Sequence, residues 1–232
     1  MFNKSLDELN IACVGIANVG NDRPVADRYQ LALDALFAVS ARVHIDPTRV
    51  YLAGISGGGR VSSMLLACFP DYFTGAVPIV GLSTYQKVPL GNSRFAPAGY
   101  ERPDIKRFTL LKKRRIAAIT GGEDFNHSEI LAAADIMRGH GVNIRVFDFE
   151  KLGHQMPSAD EFLGALKWVD QPWQDAWVKN TQAAGALLEK YKSKRGDIPP
   201  PDDKARAELY KVIDTAPWSD PAWEAASLIR KP

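Results

Sequence analysis

The sequence is poor in cysteine, with Cys13 and Cys68 as the two in 232 residues. That excludes a disulfide-dense scaffold and a four-cysteine zinc site. It has no apolar run near the roughly 18 residues a membrane-spanning helix needs. It has no excess of one charge. The 29 Lys and Arg stand against 27 Asp and Glu, a net +2, so no global field points to nucleic acid or a membrane surface. Its four histidines show no metal-ligand spacing. The stretch from Met1 to Glu8 shows no apolar leader segment. What remains is an ordinary globular balance, 46% hydrophobic and 24% charged, enough for a core that excludes water from a buried site.

Periodicity divides the chain. Ile11 to Ala17 is a short apolar run ending at Asn18-Val19-Gly20-Asn21, which reads as a buried strand feeding a loop. Val25, Tyr29, Ala32, Leu36, Val39 and Val43 recur at spacings of three and four, the mark of an amphipathic helix. Arg49 to Ala53 reads as a buried strand and Gly59 to about Phe69 as a helix. Gly75 to Gly81, Arg115 to Thr120 and Val142 to Phe149 read as further strands. Between the last two, Asn126 and Glu129 form a capping pair for a helix to about His140. Ser158 and Glu161 form a second capping box, for a helix through Val169. Strands alternating with helices of this length predict an α/β fold with a mostly parallel sheet covered on both faces.

From Gln171 the pattern changes to helices alone. They are predicted at Pro172 to Lys194, about Asp203 to Ile213 and Ser219 to Ile229, with the prolines at 199–201 as a linker. A boundary near residue 170 follows, with a helical extension over 171–232. Cys13 and Cys68 lie in apolar runs and read as inert core thiols.

Gly54-Ile55-Ser56-Gly57-Gly58 is G-x-S-x-G placed between a predicted strand and a predicted helix. In that context the sharp turn lifts a serine out of the sheet as a nucleophile. The bland alternative is a glycine-rich turn whose serine caps a helix. A serine hydroxyl needs a base. His154, in the loop after the last strand, is the leading candidate, and His127 is the runner-up or a pocket-lining residue. Asp124, at the end of the strand 115–120, is the candidate to orient the imidazole. Its neighbour Glu123 is the fallback. Asp148 and Glu150 sit too close in sequence to His154 to be its partners. Gly57 N–H is a candidate oxyanion donor, and Ile55 and His127 are candidate substrate contacts.

The runs Arg49 to Gly59 and Phe69 to Pro78 resemble the polyhydroxybutyrate-depolymerase-like and feruloyl-esterase-like branch of the α/β-hydrolases. Gly121 to Asn126 and Gly153 to Ser158 resemble the acid and base loops of such proteins. The resemblance covers residues 9–170. It implies an α/β-hydrolase sheet flanked by helices, and ester hydrolysis through an acyl-serine. Ser56 would be the nucleophile, His154 the base, Asp124 the orienting acid and Gly57 N–H one oxyanion donor. It implies a small-molecule ester as substrate; no cofactor is expected, and the charge balance points to neither nucleic acid nor membrane as partner.

The sequence departs from the family at its start. Such proteins carry several strands before the one at 11–17, and a His-Gly segment that supplies the second oxyanion donor. About ten residues precede that strand here. The departure implies a shortened N-terminus, an exposed sheet edge that a homo-oligomer would cover, or a catalytically impaired relative acting as a binding protein. Asn18-Val19-Gly20-Asn21 could lend a substitute donor, although nothing in the sequence places it near Ser56.

Residues 81–115 hold nine basic and two acidic residues. They read as a solvated helix with Tyr85, Phe95, Tyr100 and Phe108 docked on the sheet, or as a basic lid that attracts carboxylate-bearing substrates. Trp173, Trp177, Trp218 and Trp223 are expected to dock onto the hydrolase body.

Overall fold

The computed structural model describes residues 3–230. Met1 and Phe2, part of the stretch read for a leader, lie outside them. The chain divides into two compact units, Met1–Asp170 and Gln171–Pro232.

The first unit is built on four parallel strands in the order β1-β2-β5-β6. They are β1 (Tyr51–Ile55), β2 (Gly75–Ile79), β5 (Arg115–Thr120) and β6 (Asn143–Asp148). Parallel strands need helical crossovers, which cover both faces of the sheet. Here α3 (Gly57–Cys68) and α5 (His127–Gly139) pack on one face, and α6 (Ala159–Arg195), which follows β6, packs on the other. Side chains alternate across the sheet. Ile116 and Ala118 join Leu65, Leu66, Ala133 and Met137 in one buried cluster. Their neighbours Ala117 and Ile119 join Val77, Ile79, Phe162 and Leu166 in the other.

The run 11–17 is not a strand. It is irregular and largely exposed, with Val14 50% accessible. A strand needs a neighbour to take up its N–H and C=O groups. The sheet ends at β1, and no strand lies beside that edge among the described residues. The run instead borders a groove of about 370 Å³, together with Leu36 and Val39 of α2 (Val25–Ser40, the helix after the short α1, Asn3–Glu8) and Tyr51 and Leu52 of β1. Cys13 is therefore exposed and not a core thiol, whereas Cys68 is half-buried. Burial pushes the Cys68 thiol up.

The segment 81–115 contains an antiparallel hairpin that periodicity did not reveal. It comprises β3 (Val88–Gly91) and β4 (Arg94–Ala96). Asn92 and Ser93 both have positive φ, 50° and 59°, as a two-residue I′ connection requires. After it, α4 (Ile105–Leu111) is capped by the Asp104 carboxylate, which accepts from Arg107 N–H at 2.9 Å. Tyr85 packs edge-on against Phe108 and Tyr100. Arg102 and Lys112 lie over the Phe108 ring. Phe95 is 60% exposed.

Two helix boundaries differ from the pattern reading. Asn126 makes no side-chain cap. Its amide donates instead to Val80 O at 3.0 Å, while Glu129 pairs with Arg60. The Ser158–Glu161 pair is a reciprocal capping box. Second, α6 does not break at Pro172. A proline removes the N–H that would reach the carbonyl four residues earlier. That carbonyl belongs to Trp168, and Arg115 Nη1 donates to it at 2.7 Å, so the helix continues without an orphaned acceptor.

In the second unit the end of α6 packs with α7 (Asp203–Thr215) and α8 (Asp220–Arg230) around Leu188, Tyr191, Leu209, Val212 and Leu228. Trp173 stacks on Trp177, with centroids 5.2 Å apart. Trp218 and Trp223 are 60% and 53% exposed. They lean on each other and line a groove with Tyr210 and Ile213.

Candidate active site

β1 ends in a turn that no ordinary backbone makes. Ser56 has φ 53° and ψ −115°, a sterically costly conformation for a residue with a Cβ. The turn is fixed on both sides. Ser56 N–H donates to Ile79 O at 2.7 Å, and Ser56 O accepts the N–H of Arg60 at 3.0 Å. Close packing explains the glycines. A Cβ on Gly54 would lie 2.5 Å from the Gly58 carbonyl carbon, and one on Gly59 2.6 Å from Gly81 O. Gly58, the last glycine of the motif, faces open space, so the steric demand falls one residue later than the pattern suggests.

β5 and β6 bring the other groups to the same end of the sheet. The loop after β5 carries Asp124, which is 4% accessible. Its carboxylate accepts from Thr120 Oγ1 at 2.9 Å and from Asn126 N–H at 3.0 Å. The loop after β6 carries His154. Glu123 and Gly153 form a parallel bridge that ties the two loops together. His154 Nδ1 lies 2.8 Å from Asp124 Oδ1, and Nε2 lies 2.8 Å from Ser56 Oγ. A carboxylate facing Nδ1 puts the ring proton there and leaves Nε2 as an acceptor. The serine hydroxyl can then donate to Nε2, the arrangement needed to remove its proton. Gly57 and Gly58 open α3, where backbone N–H groups lack intrahelical acceptors.

The structure thus joins Ser56, His154 and Asp124 in one hydrogen-bonded chain. It does not bring His127 to Ser56. His127 Nε2 lies 2.9 Å and 3.0 Å from the two Asp148 oxygens. Glu123 is exposed beside Asp124, and its main chain forms the bridge to Gly153. Ile55 is 38% accessible at the end of β1. His44 is exposed, and His140 lies by Gln86 and the Tyr85 ring. No group of three or more His, Cys, Asp or Glu able to hold a metal occurs among the described residues.

One neighbour of the site, Phe125, escaped the sequence reading, and another, Asn21, comes from the segment 18–21 named there as a possible donor. Phe125 stacks on His154, its ring centroid 3.9 Å away at 27°, yet it is 77% exposed. The sequence clue was only an aromatic residue beside the acid. Asn21 lies against Gly57. A Cβ there would be 1.9 Å from Asn21 Oδ1 and 2.9 Å from Nδ2.

The profile described as the prolyl oligopeptidase family matches residues 23–175. Poly(3-hydroxyalkanoate) depolymerase C of Paucimonas lemoignei is 44% identical over 43 residues, which are 18% of this chain and 10% of that protein. The matched segment therefore spans about a tenth of that relative. The apoenzyme of S-formylglutathione hydrolase from Staphylococcus aureus superposes with a TM-score of 0.52 at 17% identity, over 72% of this chain and 74% of that one. Its likeness shows the α/β-hydrolase fold. A variant of Arabidopsis thaliana SOBER1 matches with a TM-score of 0.43 at 20% identity, over 65% of this chain and 66% of that one.

Proposed function

The chain belongs to the prolyl oligopeptidase family, and from that premise we propose that it is a serine hydrolase that cleaves carboxylic esters through an acyl-serine. One observation carries this reading. It is the chain from Asp124 through His154 to Ser56, with 2.8 Å at each step and the serine held in a strained turn. Ser56 Oγ attacks the ester carbonyl while His154 Nε2 takes its proton. The carbonyl electron pair moves to oxygen, facing Gly57 N–H. As the intermediate collapses, the C–O bond to the alcohol breaks and His154 returns the proton to the leaving oxygen. Water, deprotonated by the same imidazole, then releases the acid and frees Ser56. Asp124 holds the imidazole in register and offsets its charge while it is protonated. The segment shared with a poly(3-hydroxyalkanoate) depolymerase supports short hydroxyacyl or acyl esters as the substrate class.

A fluorophosphonate probe tests the nucleophile, and p-nitrophenyl acetate tests turnover. Ser56 is expected to be labelled, and Ser56→Ala to lose activity by on the order of 10⁴-fold or more. Folded protein that neither labels nor turns over would instead be a hydrolase-fold binding protein. Because the family is named for a peptidase, matched ester and anilide substrates decide between ester and amide cleavage. The ester is expected to react faster.

A further inference from the structure

Stabilising a tetrahedral oxyanion generally takes two donors about 2.7–3.1 Å from the developing charge. In the proposed mechanism the chain supplies one, the Gly57 N–H. We infer that the side-chain amide of Asn21 is the second. The inference rests on the acyl-serine reading and names a further residue of that site.

The position of Asn21 carries the argument. Its amide occupies the space where a Gly57 side chain would begin, with Oδ1 1.9 Å and Nδ2 2.9 Å from the Cβ position. The Cβ and N–H of one residue are two bonds apart, so an amide seated there lies beside the Gly57 N–H. A carbonyl oxygen that accepts from Gly57 would then come within reach of the Asn21 amide. Only glycine at position 57 leaves room for this.

The chemistry of the residue fits. Asn21 is exposed, and no hydrogen bond to its amide occurs among the described residues, so both N–H donors are unspent. A half-turn about χ2 exchanges the oxygen and the nitrogen, and the better acceptor on offer, an oxyanion, selects the nitrogen. An amide is neutral, so it adds a donor without a counter-charge that would hold the substrate carboxylate after hydrolysis. The backbone around it is fixed by a turn in which Arg23 N–H donates to Gly20 O at 3.2 Å.

The test compares wild type, Asn21→Leu and Asn21→Asp on p-nitrophenyl acetate, with Ser56 labelling as a control. Leu keeps the approximate volume and removes the donor. Asp also places a negative charge beside the oxyanion. Asn21→Leu is expected to lower kcat about 10²–10³-fold, with KM within about threefold and an unchanged melting temperature. Asn21→Asp is expected to be lower still. Affinity for a trifluoromethyl ketone, which forms a hemiketal oxyanion on Ser56, should fall in step with kcat. A kcat for Asn21→Leu within threefold of wild type overturns the inference. So does a loss of activity that follows a loss of melting temperature. If wild type itself neither labels nor turns over, the acyl-serine reading falls first. If wild type is active and Asn21→Leu is unchanged, only the role of Asn21 falls.

Discussion

The ring of Phe125 stacks on the imidazole of His154, 3.9 Å between centroids and 27° between planes. Phe125 is 77% exposed, so it adds little to the core, yet it covers one face of the group proposed to move the proton. Aromatic contacts of this kind contribute about 0.5–1.5 kcal/mol, or roughly twofold to twelvefold in rate when felt in the transition state. Phe125→Leu is expected to lower kcat/KM on p-nitrophenyl acetate within that range and to leave the melting temperature unchanged. Wild-type kinetics in the variant would show that the stack has no part in positioning His154.

Gly81 backs the turn at Ser56. A Cβ there would lie 2.2 Å from Ser56 O and 2.8 Å from its carbonyl carbon. Both are backbone atoms that cannot rotate away, so Gly81→Ala must displace the turn itself. The expected outcome is loss of fluorophosphonate labelling together with a lowered melting temperature. Gly58→Ala meets nothing within 4 Å and should retain labelling. Equal labelling of the two variants would contradict the steric account.

Asp170 is fully buried and holds Arg49 through two bonds, Nε to Oδ1 at 2.7 Å and Nη2 to Oδ2 at 2.8 Å. Tyr51 Oη donates to the same carboxylate at 2.7 Å, and Arg49 also donates to Leu9 O. Burial disfavours the Arg49 charge, but the Asp170 bonds outweigh it and raise its pKa above the ordinary value. Removing one partner of a buried pair strands the other, at about 3–5 kcal/mol. Asp170→Asn should therefore shift the urea midpoint down by a corresponding amount. A change under about 1 kcal/mol would mean that water reaches Arg49 in the variant.

Tyr51 and Tyr100 have phenol pKa values raised above 10, first by burial. Asp170 adds to the shift at Tyr51, and Cys68, Tyr85 and Tyr29 add to it at Tyr100. A raised pKa means that the folded state holds the proton where the unfolded chain releases it. Stability from these groups is complete below about pH 10 and falls as pH rises further, by up to about 1.4 kcal/mol per pH unit for each tyrosine. Urea midpoints measured between pH 9 and pH 11.5 should show that decline, and Tyr100→Phe should flatten it. The buried Tyr100 hydroxyl has no hydrogen-bond partner among the described residues, so the same variant is expected to gain roughly 1 kcal/mol at pH 7. An unaltered alkaline slope in Tyr100→Phe would count against this assignment.

The sequence by itself determined what depends on near neighbours in the chain. The strand-turn-helix around Ser56 is local, because a strained serine conformation and crowded backbone demand small residues at fixed spacing. The alternation of strands and helices dictated a parallel sheet, since such strands can be joined only by crossovers. The loops after β5 and β6 were legible for the same reason, and with them Asp124 and His154.

Tertiary structure decided whatever needs a distant partner. The apolar run 11–17 has strand composition, but no ladder beside β1 accepts it, so it lies exposed. Pro172 should stop a helix, yet Arg115 satisfies the carbonyl it frees. Asn126 and Glu129 have capping spacing but are drawn to Val80 O and Arg60. Asn21, 35 positions before Ser56 in the sequence, lies against Gly57 because the glycine leaves it a space. A pattern of residue types records propensity and period, whereas the pairing of one donor with one acceptor across the fold is fixed only when the chain has packed.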